Sequence, residues 1–424
     1  MYIIMYIIMI KNNNNLEIDY RFFNSFFIID SLNISLILLT ILIRPILSLL
    51  KIKREEKRKI DIIMINILFI LMTNDIFNFF IFYEILLIPL FFYLLDKGSF
   101  YLKLEASYRL FLYTLLGSLL LLFSLIYIFF FYGSLNIEFL SFVFNPSLFS
   151  FLWFFMILSF LIKFPVFPFH IWLPVVHVES PTVGSIILAA IILKIAYYGI
   201  IKYIIPLFKD INFYYSPFIY ILALISILYA SIININEIDM KKIIAYSSII
   251  HMNYSLFGLF SHDFSSLISS YIIMLSHGFI SAALFILIGI LYIRYHSRNY
   301  YYFKSLISYM PLYSFFFIFM ILSNISIPYT SSFIPEMVIL FHLINDNLFI
   351  SLIFLFSIFF SSIYNLWFLN RIIFGSFSPF ISLYLDLSFN EFLILFPFLF
   401  FILSSSFYFS FFSSLLSPSF ILLL

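Results

Sequence analysis

Six ionisable side chains stand inside apolar runs, where ionisable groups are costly: Glu84, Lys163, Lys194, His251, His277 and Glu336. A helix rises about 1.5 Å per residue, which assigns each of them a depth. Glu84 lies about 14 Å from Asp75, Lys163 about 21 Å past Phe149, Lys194 about 20 Å beyond Pro181 and Glu336 about 15 Å from Asp346. His251 is about 13 Å past Lys242, and His277 about 21 Å past Asp263. In a hydrocarbon layer about 30 Å thick, all six meet near the midplane. A charge there costs at least about 2.5–3.5 kcal/mol on insertion scales, and persists only when paired or facing a hydrated interior. A single Glu–Lys pair could equally be interhelical glue that fixes packing. Two acids, two lysines and two histidines at one depth point instead to a lateral row of proton-exchanging groups. Desolvation favours the neutral form of lysine and carboxylate alike, bringing both toward exchange near neutral pH. Histidine needs little shift to serve as a relay.

The elements that position these groups follow from composition. Of 424 residues, 64% are hydrophobic and 10% charged, whereas soluble domains run near roughly 45–50% apolar and about 25% charged. A bilayer is therefore the solvent, and a helix needs roughly 20 apolar residues to cross it. Twelve crossings are predicted at 26–50, 60–74, 75–95, 109–131, 149–173, 181–203, 214–233, 241–260, 264–292, 306–344, 349–370 and 391–414. The run 60–95 is too long for one span, and Asn74-Asp75 is the hairpin that splits it. The fold class is thus an all-α polytopic membrane protein: a short segment 1–25, one transmembrane domain 26–414 and a tail 415–424. Residues 1–10 are apolar but lack a basic flank and a small-residue cleavage site, so they do not read as a secretory signal.

Two crossings carry proline beside their charge. Lys163 is followed by Pro165 and Pro168, and Glu336 is preceded by Pro328 and Pro335. Proline inside a span removes a helical hydrogen bond and clashes with the preceding turn. Two interrupted helices, one in each half and each with a buried charge, point to an ion site built from inverted repeats. The repeats are expected at roughly 60–203 and 214–370. The freed carbonyls can take up water at mid-depth.

Charge elsewhere sets orientation. Alternate loops hold Lys51, Lys53, Arg54, Lys57, Arg58, Lys59, Lys97, Lys103, Arg109, Lys241, Lys242, Arg294, Arg298, Lys304 and Arg371. The opposite loops hold only Lys202 and Lys209, with Lys11 and Arg21 near the start. The basic face should be cytoplasmic, or the matrix side in a mitochondrion. Lys+Arg 22 against Asp+Glu 20 leaves +2, which gives no pull toward nucleic acid. Zero cysteines exclude an iron–sulfur cluster or a Cys-held zinc in this chain. Neither a nucleotide fingerprint nor a metal-ligand cluster is present in the sequence. The wealth of Phe (63) and Tyr (31) beside 9 Gly reads as the product of an AT-rich genome, with most aromatics facing lipid.

Other polar residues receive plainer readings. His170 and His177 could aid proton entry or simply pack at the interface. Ser180 is the expected N-cap, with Pro181 at the first helical position. Lys241 and Lys242 read as orientation anchors, and His262, His296 and His342 as surface or packing groups. Arg44, next to Pro45, is expected to snorkel toward the basic loop.

The text IKFPVFPFHIWLPVVHVESPTVGSIILAAIILKIAYYGIIK at 162–202 closely resembles the antiporter-like proton-channel family of respiratory NADH:ubiquinone oxidoreductase (complex I), in its subunit 4 branch. Further matches run in order: YTLLGSLLLLFSLIY with GSLNI (113–137), DMKKIIAYSSIIHMN (239–253), SHGFISAALF (276–285), RYHSR (294–298), NISIPYTSSFIPE (324–336) and YNLWFLNRIIFG (364–375). The resemblance covers roughly 26–375. It implies a mitochondrial inner-membrane subunit that translocates protons, coupled to electron transfer from NADH to ubiquinone in other subunits. It implies no cofactor on this chain, since NADH, FMN, iron–sulfur clusters and ubiquinone would sit in those other subunits. The implied partners are the other membrane-arm subunits, including neighbouring antiporter-like ones, and lipids. By the same resemblance Glu84 matches the acid that pairs with the broken-helix lysine Lys163, and Lys194 the central lysine. Glu336 matches the terminal acid, and His251 and His277 the histidines between them. The family usually carries two helices ahead of the segment near Asp30, and here 1–10 is the only candidate, so they are lost, reduced or supplied by another chain. A free-standing cation/proton antiporter subunit of the related multisubunit type and a non-transporting scaffold are the competing readings.

Overall fold

The computed structural model describes residues 20–22, 27–50, 54–95, 100–145, 150–261, 263–376 and 385–407. Lys11, Lys51, Lys53, Lys97, His262, the apolar stretch 1–10 and the 415–424 tail lie outside the described residues. A helix answers every expected crossing. In chain order these are α1 (Ser31–Leu49), α2 (Arg54–Met72), α3 (Ile76–Leu95), α4 (Phe100–Tyr132) and the short α5 (Ile137–Val143). The pair α6 (Ser150–Lys163) and α7 (Trp172–Glu179) is followed by α8 (Thr182–Leu207), α9 (Lys209–Asn236), α10 (Met240–Leu259) and α11 (Phe264–Tyr295). Then come the one-turn α12 (Leu306–Tyr309), the pair α13 (Pro311–Asn324) and α14 (Phe333–Asp346), α15 (Leu348–Ile373) and α16 (Phe389–Phe407). Seven are long and apolar enough to cross unbroken. The remaining crossings are the two interrupted pairs, the shorter α16, and α2 and α10, which open on charged residues.

Of the boundaries that moved, three have a clear local setting. Helix α1 starts at Ser31, because Phe27–Ile29 (β2) pairs antiparallel with Tyr20–Phe22 (β1), in register Tyr20↔Ile29. Asn33 then fixes the helix start: its Oδ1 accepts from the Asp30 N–H at 2.8 Å, and its amide donates to Ile28 O and Leu71 O. Helix α4 starts at Phe100, so Lys103 and Arg109 are helical: Lys103 Nζ donates to Leu95 O at 3.1 Å and Arg109 pairs with Glu105 one turn earlier. Likewise Arg54–Lys59 form the first turns of α2.

Burial shows which helices form the centre. The apolar windows of α8 and α11 are 94% buried, against 33–50% for the other unbroken spans. Those two helices carry Lys194 and His277. Outward faces are apolar, with Ile41, Leu112, Phe142, Phe213 and Phe349 exposed, as lipid-facing surfaces are.

The two breaks use one hydrogen-bond pattern. After α6 ends at Lys163, Val166 N–H bonds Leu161 O, Phe169 N–H bonds Val166 O, and α7 starts at Trp172. After α13 ends at Asn324, Ile327 N–H bonds Leu322 O, Thr330 N–H bonds Ile327 O, and α14 starts at Phe333. In each case a side chain from the restarting helix or its cap donates to a carbonyl in the last turn of the first. Trp172 Nε1 donates to Ile162 O at 3.0 Å, and Ser332 Oγ to Ser323 O at 3.0 Å. The second break also carries Ser326 and Tyr329 at φ 63° and 70°. A matching pair of isolated bridges, Asp75 with Asn136 and Asp239 with Asn299, ties the two hairpins on opposite faces.

Candidate functional site

Each break presents its charge at the helix end that favours it. Lys163 is the last residue of α6, and Glu336 stands in the first turn of α14. The macrodipole places partial negative charge at a C-terminus and positive charge at an N-terminus, so ammonium and carboxylate are each held by the end they occupy. Both are buried.

Lys163 Nζ lies 2.8 Å from the centroid of the Tyr83 ring, a cation–π contact. Tyr83, Leu87, Thr114, Trp172 and Ile195 join it around a cavity of about 20 Å³, enough for about one water molecule. Glu84 follows Tyr83 on α3, and its charge is felt at Lys163. The carboxylate does not close a direct ion pair with it, and Glu84 Oε1 is buried without a hydrogen-bond partner. The first pair is therefore adjacent but open, with an aromatic ring under the ammonium.

Lys194 sits between two π-helical turns of α8, Leu188–Ile192 and Ile200–Ile204. Such turns loosen the carbonyl ladder and recur at functional sites. Here Lys194 Nζ donates to Ala189 O at 2.5 Å and lies 3.0 Å from His277 Nδ1. An ammonium can only donate, so beside charged Lys194 the histidine accepts at Nδ1 and carries its proton on Nε2. Gly278 permits this approach: a Cβ there would lie 3.2 Å from Ala190 O and 3.4 Å from Lys194 Cε. The His277 and His251 rings stack at 5.7 Å with 27° between planes. His251 Nδ1 is 3.6 Å from Glu336 Oε1, which also accepts from Ser326 Oγ at 2.6 Å. The Nε2 atoms of both histidines are buried without partners.

Four of the six expected residues thus form one buried line, Lys194–His277–His251–Glu336. Of the other two, Lys163 lines the cavity and Glu84 follows its lining residue Tyr83, while Ile192 and Ile195 of the same lining stand on either side of Lys194 in the chain. Among the described residues, no group of three or more His, Cys, Asp or Glu is placed to hold a metal ion.

The family model described as NADH:quinone oxidoreductase/Mrp antiporter, transmembrane region, matches residues 73–361. The chain is 38% identical over 390 residues to NADH-ubiquinone oxidoreductase chain 4 of Marchantia polymorpha, covering 90% of this chain and 79% of that one. It is 40% identical over 325 residues to the chain 4 of Chondrus crispus, covering 76% and 66%. The chain belongs to the chain 4 family of NADH-ubiquinone oxidoreductase. Among solved structures, a chain of respiratory complex I from Thermus thermophilus matches with a TM-score of 0.89 at 21% identity, over 100% of this chain and 92% of that one. The Mrp complex from Dietzia sp. matches with a TM-score of 0.77 at 21% identity, over 82% and 67%. These two likenesses bear on the fold.

Within this family member, several polar residues hold positions that local sequence could not reveal. Lys241 is no loop anchor: it is buried, with Nζ donating to Ser180 O at 2.8 Å, whereas Lys242 pairs with Glu237 at 3.4 Å. Lys202 is no loop residue either, but lies buried in the second π turn. Arg44 pairs with Asp61 on α2 rather than snorkelling alone. Ser180 is the C-cap of α7, its Oγ donating to His177 O at 3.1 Å, and the cap of α8 is Pro181. His177 stacks on Phe285 at 4.8 Å, with both ring nitrogens unpartnered. His342, expected to be a surface or packing group, pairs with Asp263 at 2.6 Å near the surface. The signal missed for Lys202 was register, since it lies more than a turn inside a helix whose end was drawn too short. Lys241 stands in the first turn of α10, and its burial against Ser180 leaves no mark in the local sequence.

Proposed function

We propose that this chain is a membrane-arm subunit of the proton-translocating NADH:ubiquinone oxidoreductase of the mitochondrial inner membrane, with its basic loops on the matrix side. Protons move along a midplane relay of Glu84, Lys163, Lys194, His277, His251 and Glu336, driven by redox chemistry in other subunits. The observation that carries this reading is the line Lys194–His277–His251–Glu336, buried between two helix breaks. A scaffold would need its charges satisfied, yet Glu84 Oε1 and both histidine Nε2 atoms lack partners. Buried polar atoms without a protein partner are costly and are answered by bound water or by a functional role. In the relay they are the points where a proton or a carrier molecule is taken up. The open Glu84–Lys163 pair fits the same scheme: its closing and opening changes the field at Lys194 across the cavity. The competing cation/proton antiporter has the same fold, and the chain 4 relatives favour the respiratory assignment. Co-purification with iron–sulfur and flavin subunits separates the two.

The test is NADH-driven proton uptake in proteoliposomes carrying complexes with Glu84→Gln or Lys163→Ala. The expected result is assembled complex with proton translocation lost from this chain's share. Undiminished pumping in either assembled variant would sink the relay.

A further inference from the structure

Lys202 is a buried cation that the midplane line does not use. It lies two helical turns beyond Lys194 on α8, toward the face opposite the basic loops. Its Nζ donates to Thr73 O at 2.8 Å and to Tyr198 Oη at 2.9 Å, and stands 3.5 Å from Asp30 Oδ2. The Lys202 side chain is 7% exposed and that of Asp30 25%, so one member of the pair is dry and the other reaches the surface. Asp75 on the neighbouring hairpin also acts on Lys202, and Glu138 acts on Asp75. The phenols facing this pocket are Tyr198 and Tyr203.

Hydroxyls fill the interval back to the midplane. Ser270 and Tyr271 precede His277 on α11 by about two turns. Ser270 Oγ bonds the Tyr197 hydroxyl at 2.6 Å, and Tyr271 bonds Ser35 Oγ at 2.5 Å. The Tyr197 and Tyr271 rings lie 6.1 Å apart; Tyr271 donates to Leu32 O, and Tyr198 to Leu71 O at 2.8 Å. A hydroxyl both accepts and donates, so it can pass a proton without itself becoming charged.

We propose that Lys202 and Asp30 form a port through which the Lys194–His277 pair exchanges protons with the face opposite the basic loops. The Tyr197, Tyr198 and Tyr271 hydroxyls carry protons between them. The Lys202 ammonium hands one proton to the Asp30 carboxylate, which releases it to water. The Tyr198 hydroxyl then turns its proton from Leu71 O to the neutral amine while its oxygen takes the Tyr271 hydroxyl proton, and the Lys194–His277 side resupplies Tyr271. Charge and protons are conserved at each step, and no other reactant is needed. This port rests on the midplane relay and adds its opening.

The experiment uses the assembled complex in proteoliposomes, with Asp30→Asn, Lys202→Met, Lys202→Arg and Lys194→Met compared. Asp30→Asn and Lys202→Met should lose the same fraction of proton translocation as Lys194→Met, and Lys202→Arg should recover at least half. In Asp30→Asn, the response of coupled turnover to pH on the Asp30 face should vanish while the response on the other face persists. A purely structural latch would not alter that one-sided response. Wild-type pumping and an intact pH response in assembled Asp30→Asn, with Lys194→Met impaired, overturn the port alone. Wild-type pumping in Lys194→Met overturns the relay itself. Failure of the isosteric Asp30→Asn complex to assemble would make the pair a latch and also end the port reading.

Discussion

Glu336→Gln is the sharpest perturbation of the buried line, because it removes one charge and almost no volume. The carboxylate stands 3.6 Å from His251 Nδ1. At an effective dielectric near 20, a unit charge at that distance stabilises a protonated histidine by about 4–5 kcal/mol. Each ~1.36 kcal/mol is about tenfold in rate, so moving a proton onto His251 should slow on the order of 10³-fold. Flux through that link would fall far below turnover. Ser326→Ala gives the graded control. Its hydroxyl donates to Glu336 Oε1 at 2.6 Å, and a hydrogen bond to a charged group contributes about 1.5–3 kcal/mol. That change should cost roughly ten- to a hundredfold at the same step. The assay is NADH-driven acidification in proteoliposomes, with protons per electron as the readout and complex abundance measured alongside. An assembled Glu336→Gln complex with an unchanged proton-to-electron ratio would refute the argument. So would a Ser326→Ala complex more impaired than Glu336→Gln.

Two further predictions concern packing and the surface. At Gly199 an added Cβ would meet Phe160 Cε1 at 2.3 Å. Overpacking of this kind typically costs about 1–3 kcal/mol, whereas helix propensity alone would make alanine about 1 kcal/mol better than glycine. Gly199→Ala should therefore lower the thermal stability of the complex, and a rise would show that the close α6–α8 approach has little weight. Asp61→Asn breaks the Arg44–Asp61 pair, whose side chains are 35% and 40% exposed. Such pairs contribute about 0–1 kcal/mol, so assembly and pumping should stay at wild-type levels, and a clear assembly defect would contradict this.

What could be read from the sequence was set by rules that act along one helix. Depth follows from rise per residue, and the buried positions of Lys163, Lys194, His251, His277 and Glu336 follow from counting. Proline cannot donate, so the breaks beside Pro165 and Pro328 were legible as well. What lay beyond reach depends on which distant segment arrives opposite a side chain. Tyr83 rather than a closed Glu84 carboxylate lies under Lys163. Thr73 and Asp30 surround Lys202, and Ser180 receives Lys241, although each partner is far away in the chain. The β1–β2 hairpin was missed because Phe27–Ile29 is as apolar as the helix that follows it. The π turns of α8 leave no mark in composition, yet they flank Lys194.

The two breaks show how one backbone device serves opposite charges. Two of their hydrogen bonds correspond position for position, Val166 to Leu161 with Ile327 to Leu322 and Phe169 to Val166 with Thr330 to Ile327, as do the restarts at Trp172 and Phe333. The residue closing the first half-helix differs: Lys163 in one, Asn324 in the other, where it donates to Asn365 at 3.1 Å. With a neutral residue at the C-terminal end, the second break keeps only its N-terminal end for a charge, and an anion suits that end. Glu336 occupies it. A cation at Asn324 would lose the bond to Asn365 and place its charge two residues from Ser326, whose hydroxyl holds the Glu336 carboxylate beside His251. The neutrality of Asn324 is therefore part of what leaves Glu336 available to His251. It also gives the row a direction, from a cation held at one break to an anion held at the other.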